Sequence, residues 1–165
     1  MKESIYTIPV MEAFEQDCEC PVCILEKNLE DGAIDYYLGA SLMEPDCRVE
    51  TNKNGFCRLH FQMLYNSQKN TLGLGLITDT HIREHLPRLA DLSKAADKAA
   101  DNTKSSGWLS GVLKGKGRSS DNAGSNGSVL QELIEFLGNI EKSCTICNRL
   151  EKTMERYMDV IMYLW

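Results

Sequence analysis

Two short stretches in the first part of the chain have the residue types and spacing of half-sites for a metal ion. Cys20-Pro21-Val22-Cys23 sets two thiols around a tight turn at the start of an expected helix, where the helix N-terminus favours thiolate. Cys57-Arg58-Leu59-His60 sets a thiol and an imidazole three residues apart, on one face of another expected helix. Together Cys20, Cys23, Cys57 and His60 form a Cys3His set, a known composition for closed tetrahedral structural zinc. The spacing therefore predicts one Zn2+ held by these four residues. Iron also suits sulfur-rich sites, but a histidine among three cysteines favours zinc. The competing reading is of buried small hydrophobes beside one satisfied core histidine.

A second C-x-x-C stands at Cys144-Thr145-Ile146-Cys147, and the residues after it resemble those after the first. LEKNLEDGAIDYYL, from Leu25 to Leu38, aligns with LEKTMERYMDVIMYL, from Leu150 to Leu164, once one residue is inserted. This is an internal repeat of a helical unit. A complete second unit would go on to its own Gly-Phe-Cys-x-x-His, and the sequence stops at Trp165, so the second unit is expected to be cut short. Cys144 and Cys147 are thus a separate candidate pair. They can form a redox dithiol, or complete a second zinc site with His81 and His85.

Other patterns carry less. His81-Ile82-Arg83-Glu84-His85 spells H-x-x-E-H, in which two histidines bind zinc and the glutamate activates water. A protease would need a third ligand on a following helix, and an alanine-rich run and a polar stretch follow instead, so a solvated helix face is the plainer reading. Cys18 can stand in for Cys20, and Cys47 is expected to be a loop thiol. Asp35, Tyr36 and Tyr37 fall at the end of a helix, and no pair of acids is singled out as general acid and base. An enzyme is not expected.

The elements that position these residues are helical. Pro9 suits the first turn of a helix from Thr7 bearing Val10, Ala13 and Phe14 on one side. Leu25, Leu29, Ala33 and Tyr37 recur every four residues, predicting a second helix from Cys23 to Leu38 that ends at Gly39. Glu44 to Asn54 is polar and turn-rich. Gly55-Phe56 leads into a third helix with Leu59, Met63 and Leu64 on its face. A fourth, from about Leu72, has Leu72, Leu76, Ile77 and Thr80 inward and a potential kink at Pro87. Leu130, Leu133, Ile134, Leu137 and Ile140 mark a fifth, and Leu150, Met154, Tyr157, Met158 and Ile161 a sixth. No run alternates with period two. The fold class is all-α, an array of about six helices with a zinc-linked turn and two related units.

Residues 1–100 are expected to form the zinc-binding unit and 129–165 a helical hairpin. Between them, 101–128 is rich in Gly, Ser and Asn, a composition that cannot offset the entropy of ordering, and is predicted to be a flexible linker. Trp108, Leu109, Val112 and Leu113 could lay one apolar helical turn within it.

The net charge of -6 argues against nucleic acid or an anionic membrane surface as partner. The sequence shows neither a spanning apolar run nor a secretory leader, which places the chain in the cytoplasm. The segments IYTIPVMEAFEQDCECPVC, MEPDCRVETNKNGFCRLHF and CTICNRLEKTMERYMDVIMYLW resemble a family of bacterial proteins catalogued only as a domain of unknown function. That resemblance implies paired cysteine-rich helical units, longer members carrying the second Gly-Phe-Cys-x-x-His, and it brings no activity. The expected function is a non-catalytic zinc module acting through a protein partner or self-association. The alternative is a thiol-redox or metal-responsive switch built on the C-x-x-C pairs.

Overall fold

The computed structural model describes residues 5–106 and 123–164, and every regular element among them is helical. The order is α1 (Thr7–Phe14), α2 (Pro21–Leu38), a 3-10 turn (Ala40–Met43), α3 (Pro45–Asn54), α4 (Arg58–Ser67), α5 (Thr71–Ser106), α6 (Ala123–Lys142) and α7 (Thr145–Leu164). The class is all-α, as the periodicity predicts, with one helix more than the sequence shows.

The additional helix is α3, in the segment whose polarity predicts a turn. Its signals are electrostatic and stereochemical: Pro45 in the first turn, Asp46 at the positive end of the helix dipole and Lys53 at the negative end. It buries only Cys47 and Thr51, so it has no apolar stripe to be recognised by. Cys47 is accordingly a buried helical thiol and not a loop thiol, and burial is the main cause that pushes it above the usual range.

Caps fix the ends of the helices that matter to the site. Pro21 opens α2, where Cys20 Sγ accepts the Cys23 N–H at 3.2 Å. At the start of α5, Asn70 Oδ1 accepts the Gly73 N–H at 2.8 Å, while Asn70 Nδ2 donates to Leu38 O at 3.0 Å. One side chain thus caps α5 and ties it to the end of α2. This contact also sets the rotation of α5: Ile77 is buried as predicted, together with Leu74, whereas Leu72 and Leu76, also predicted inward, face outward. In the same way His60 and Leu64 form the inner side of α4 while Leu59 is exposed, and on α6 Phe136 is buried while Leu130, Ile134 and Leu137 are exposed.

α5 continues through Pro87 and runs to Ser106, six residues into the segment predicted as linker. Residues 107–122, with Trp108, Leu109, Val112 and Leu113, lie outside the described residues. α6 returns along α5, where Phe136 meets the ring of His85 at 6.0 Å and the Arg88 guanidinium at 5.0 Å, and Glu132 pairs with Arg88 at 3.5 Å.

The core has two parts, and α7 belongs to both. Ala33, Ile34, Tyr37 and Leu38 of α2 pack with Cys47, Leu64, Leu74, Cys144 and Ile146. Val10 and Ala13 of α1 pack with Leu25 and Tyr157. The start of α7 is therefore buried among α2 to α5, and its middle lies against α1 and α2. Among the described residues, no helix is long and apolar enough to cross a membrane.

Candidate metal centre

α4 and α7 begin with the same device. Cys57 stands at the N-cap of α4 with His60 in the first turn, and Cys144 stands immediately before α7 with Cys147 in its first turn. In each case a three-residue step on a helical turn brings both ligand atoms to one side. Gly55 joins the two starts. Its carbonyl accepts the Thr145 N–H at 3.0 Å and the Thr145 hydroxyl at 3.0 Å, and the Ser143 hydroxyl donates to Asn54 O at 2.7 Å. The start of α7 is thereby seated on the turn between α3 and α4.

The result is a cluster of four donors, Cys57, His60, Cys144 and Cys147, whose ligand atoms all lie within 4.8 Å of one another. His60 Nδ1 is 3.2 Å from Cys57 Sγ, 3.4 Å from Cys144 Sγ and 3.3 Å from Cys147 Sγ. Cys57 Sγ and Cys147 Sγ are 3.9 Å apart. A tetrahedral ion with metal–sulfur bonds of about 2.3 Å and metal–nitrogen bonds of about 2.0 Å needs edges of roughly 3.8 Å between sulfurs and 3.5 Å from sulfur to nitrogen. The three nitrogen–sulfur separations and the Cys57–Cys147 separation lie near those edges. His60 and Cys144 are buried and Cys57 half-buried, leaving Cys147 as the exposed corner.

On its other side, His60 Nε2 lies 3.0 Å from Glu30 Oε1. A carboxylate only accepts, so Nε2 carries the hydrogen and Nδ1 turns its lone pair toward the three sulfurs. This is the carboxylate–histidine arrangement that orients metal-binding imidazoles and raises their basicity. Replacing Glu30 with Ala should therefore weaken metal binding by roughly 10- to 100-fold. Competition against a chelator of known affinity measures it, and an unchanged affinity would show that the carboxylate plays no part.

The sulfurs do not share negative charge comfortably on their own. Burial works against ionisation of Cys57, yet hydrogen bonds from the His60 backbone N–H and from Cys144 and Cys147 leave it below the usual thiol range. Cys147 is pushed up to about 12, by burial first and then by the neighbouring Cys144 and Cys57 sulfurs. A cation at the centre is what permits such a set of thiols to be deprotonated together.

The structure brings together only half of the predicted quartet of Cys20, Cys23, Cys57 and His60. Cys57 and His60 are in the cluster, but Cys20 and Cys23 are not: they are bonded to each other at the start of α2. Cys144 and Cys147 take their places, and so do not form a separate pair or a site with His81 and His85. Those two histidines donate to the last carbonyls of α3, His81 Nδ1 to Asn52 O at 2.7 Å and His85 Nε2 to Lys53 O at 3.1 Å. Their H-x-x-E-H spacing serves helix packing, and Glu84 is exposed. Glu30 orients His60, and Gly55 and Thr145 join the two helix starts, roles that no spacing in the sequence signals.

Fold and site together define an all-α protein in which two helix starts, far apart in sequence, meet at a Cys3His cluster that could hold a metal ion. A family model matches residues 1–165, and the chain belongs to that family, DUF6062, a family of unknown function. No curated protein and no solved structure matches it.

Proposed function

We propose that Cys57, His60, Cys144 and Cys147 bind one Zn2+ as a structural site, and that the protein is a non-catalytic helical module. The observation that carries this reading is the convergence of four donors from two helix starts within 4.8 Å. Three thiolates and an imidazole suit zinc, and four protein ligands leave no position for water or substrate, unlike catalytic zinc sites. The metal's task is mechanical: it fastens the start of α7 to the start of α4. We place the module in the cytoplasm, where ligand thiols stay reduced.

Its action would be to present helix faces to a protein partner or to a second copy of itself. Leu59, Phe61 and Tyr65 on α4, and Met158, Met162 and Tyr163 on α7, are large apolar side chains left exposed. The net charge of -6 disfavours nucleic acid as that partner.

Metal content per chain, measured by elemental analysis and native mass spectrometry on protein purified without added metal, tests the proposal. One zinc per chain is expected, lost in Cys147→Ser and kept in Cys20→Ser. A folded parent without metal, or a site lost in Cys20→Ser and kept in Cys147→Ser, would overturn it.

A further inference from the structure

We infer that Cys20 and Cys23 form a thiol–disulfide exchange site, independent of the metal cluster. The two C-x-x-C pairs occupy equivalent places at helix starts, and the second cysteine of each is exposed, but their partners differ. Cys144 is buried and, with Cys147, meets His60 and Cys57, whereas Cys20 is partly exposed and is bonded to Cys23. Among the described residues, neither belongs to a group of three or more metal-binding side chains.

The helix assigns the two sulfurs different parts. Cys23 is the more exposed residue of the pair, which makes its sulfur the one we assign to attack by an external thiolate. Cys20 Sγ accepts the Cys23 N–H at 3.2 Å and stands at the N-cap of α2, where developing negative charge is stabilised. An incoming thiolate therefore attacks Cys23 Sγ; the Cys20–Cys23 bond breaks, and Cys20 leaves as thiolate. A second thiolate attacks the external sulfur of the mixed disulfide, giving the external disulfide and releasing Cys23 as thiolate. Two thiols are oxidised, one disulfide is reduced, and the reverse sequence restores the bond. The co-reactant is a low-molecular-weight thiol and its disulfide.

The test equilibrates zinc-loaded full-length protein in glutathione buffers from reducing to oxidising, quenches with acid, alkylates, and reads the tryptic peptide spanning residues 3–27. The expected result is a single two-electron transition in which Cys20 and Cys23 gain or lose alkyl groups together. Brief treatment of the oxidised parent with reduced glutathione, quenched with acid, should place the mixed disulfide on Cys23 and leave Cys20 as the free thiol. Cys20 and Cys23 alkylated in every buffer, a bond that resists reductant until the protein is unfolded in urea, or a disulfide that uses Cys18 would overturn the inference. Glutathione found equally on Cys20 and Cys23, or on Cys20 alone, would overturn the assigned order of attack.

Discussion

Removing the metal should cost the protein most of its stability and release the start of α7 from α4. Structural zinc contributes roughly 10–16 kcal/mol apparent at neutral pH in small peptides, and a whole domain is stable by only about 5–15 kcal/mol. Against that loss stand the apolar contacts of Tyr157 with Val10, Ala13 and Leu25, and the hydrogen bonds from Ser143 and Thr145 to Asn54 and Gly55. The hydrogen bonds contribute about 1 kcal/mol each and depend on the same seating that the metal enforces. Even if preorganisation of the cluster reduced the metal's share to about 4 kcal/mol, the melting midpoint would fall by roughly 8–16 °C. Cys144→Ser is the sharpest variant, because Cys144 is only 1% exposed and a serine there neither binds zinc well nor fills the apolar site. Its expected behaviour is a low melting midpoint that added chelator does not lower further, while the parent falls to meet it. A parent whose helical signal and midpoint ignore complete metal removal would show that packing alone holds α7.

The same residues show how far the sequence could be followed. The helix-start spacing of each half-site was legible, because Cys-x-x-Cys and Cys-x-x-His state their local geometry. The pairing of halves was not, since two C-x-x-C stretches at two helix starts offer the same ligands. What separates them is the residue after the first cysteine. Thr145 gives Gly55 O both a backbone N–H and a hydroxyl, whereas Pro21 has no N–H to give. That difference is written in the sequence, but it acquires meaning only once a carbonyl waiting for two donors is known. Helix existence was similarly legible where apolar residues recur, as in α1, α2 and α7. It failed at α3, which is stabilised by Pro45, Asp46 and Lys53 and by His81 and His85 donating to its last carbonyls. Of the predicted inner face of α5, Ile77 is buried but Leu72 and Leu76 are not, because the Asn70 cap, a contact with α2, fixes the rotation, and period alone leaves rotation open by a residue or two.

Gly55→Ala should be strongly destabilising, although it adds one methyl group. Gly55 has φ of 59° and ψ of -149°, a region that is essentially glycine's own, and an alanine held there is strained by about 1–3 kcal/mol. Space is also lacking. A Cβ at Gly55 would lie 2.6 Å from His81 Nε2 and 2.7 Å from its Cε1, so the imidazole must swing away. Moving it breaks the 2.7 Å hydrogen bond from His81 Nδ1 to Asn52 O, adding roughly 1 kcal/mol for the bond and more for the carbonyl left behind. Any backbone shift that relieves the strain also moves the carbonyl that receives Thr145, and with it Cys144 and Cys147. The expected sum is about 3–5 kcal/mol in a urea titration, accompanied by weaker metal retention. Gly32→Ala on α2 is the control: nothing lies within 4 Å of its Cβ, and removing a helical glycine there should stabilise by about 0.5–1 kcal/mol. The His81→Ala background separates the two causes: there the clash is absent and the hydrogen bond to Asn52 O is already lost, so the cost of Gly55→Ala measured against His81→Ala is the backbone strain alone. If that cost equals the one measured in the parent, the backbone is the whole of it; if Gly55→Ala alone is as stable as the parent, the junction does not depend on this glycine, and the account of how α7 is seated on α4 fails.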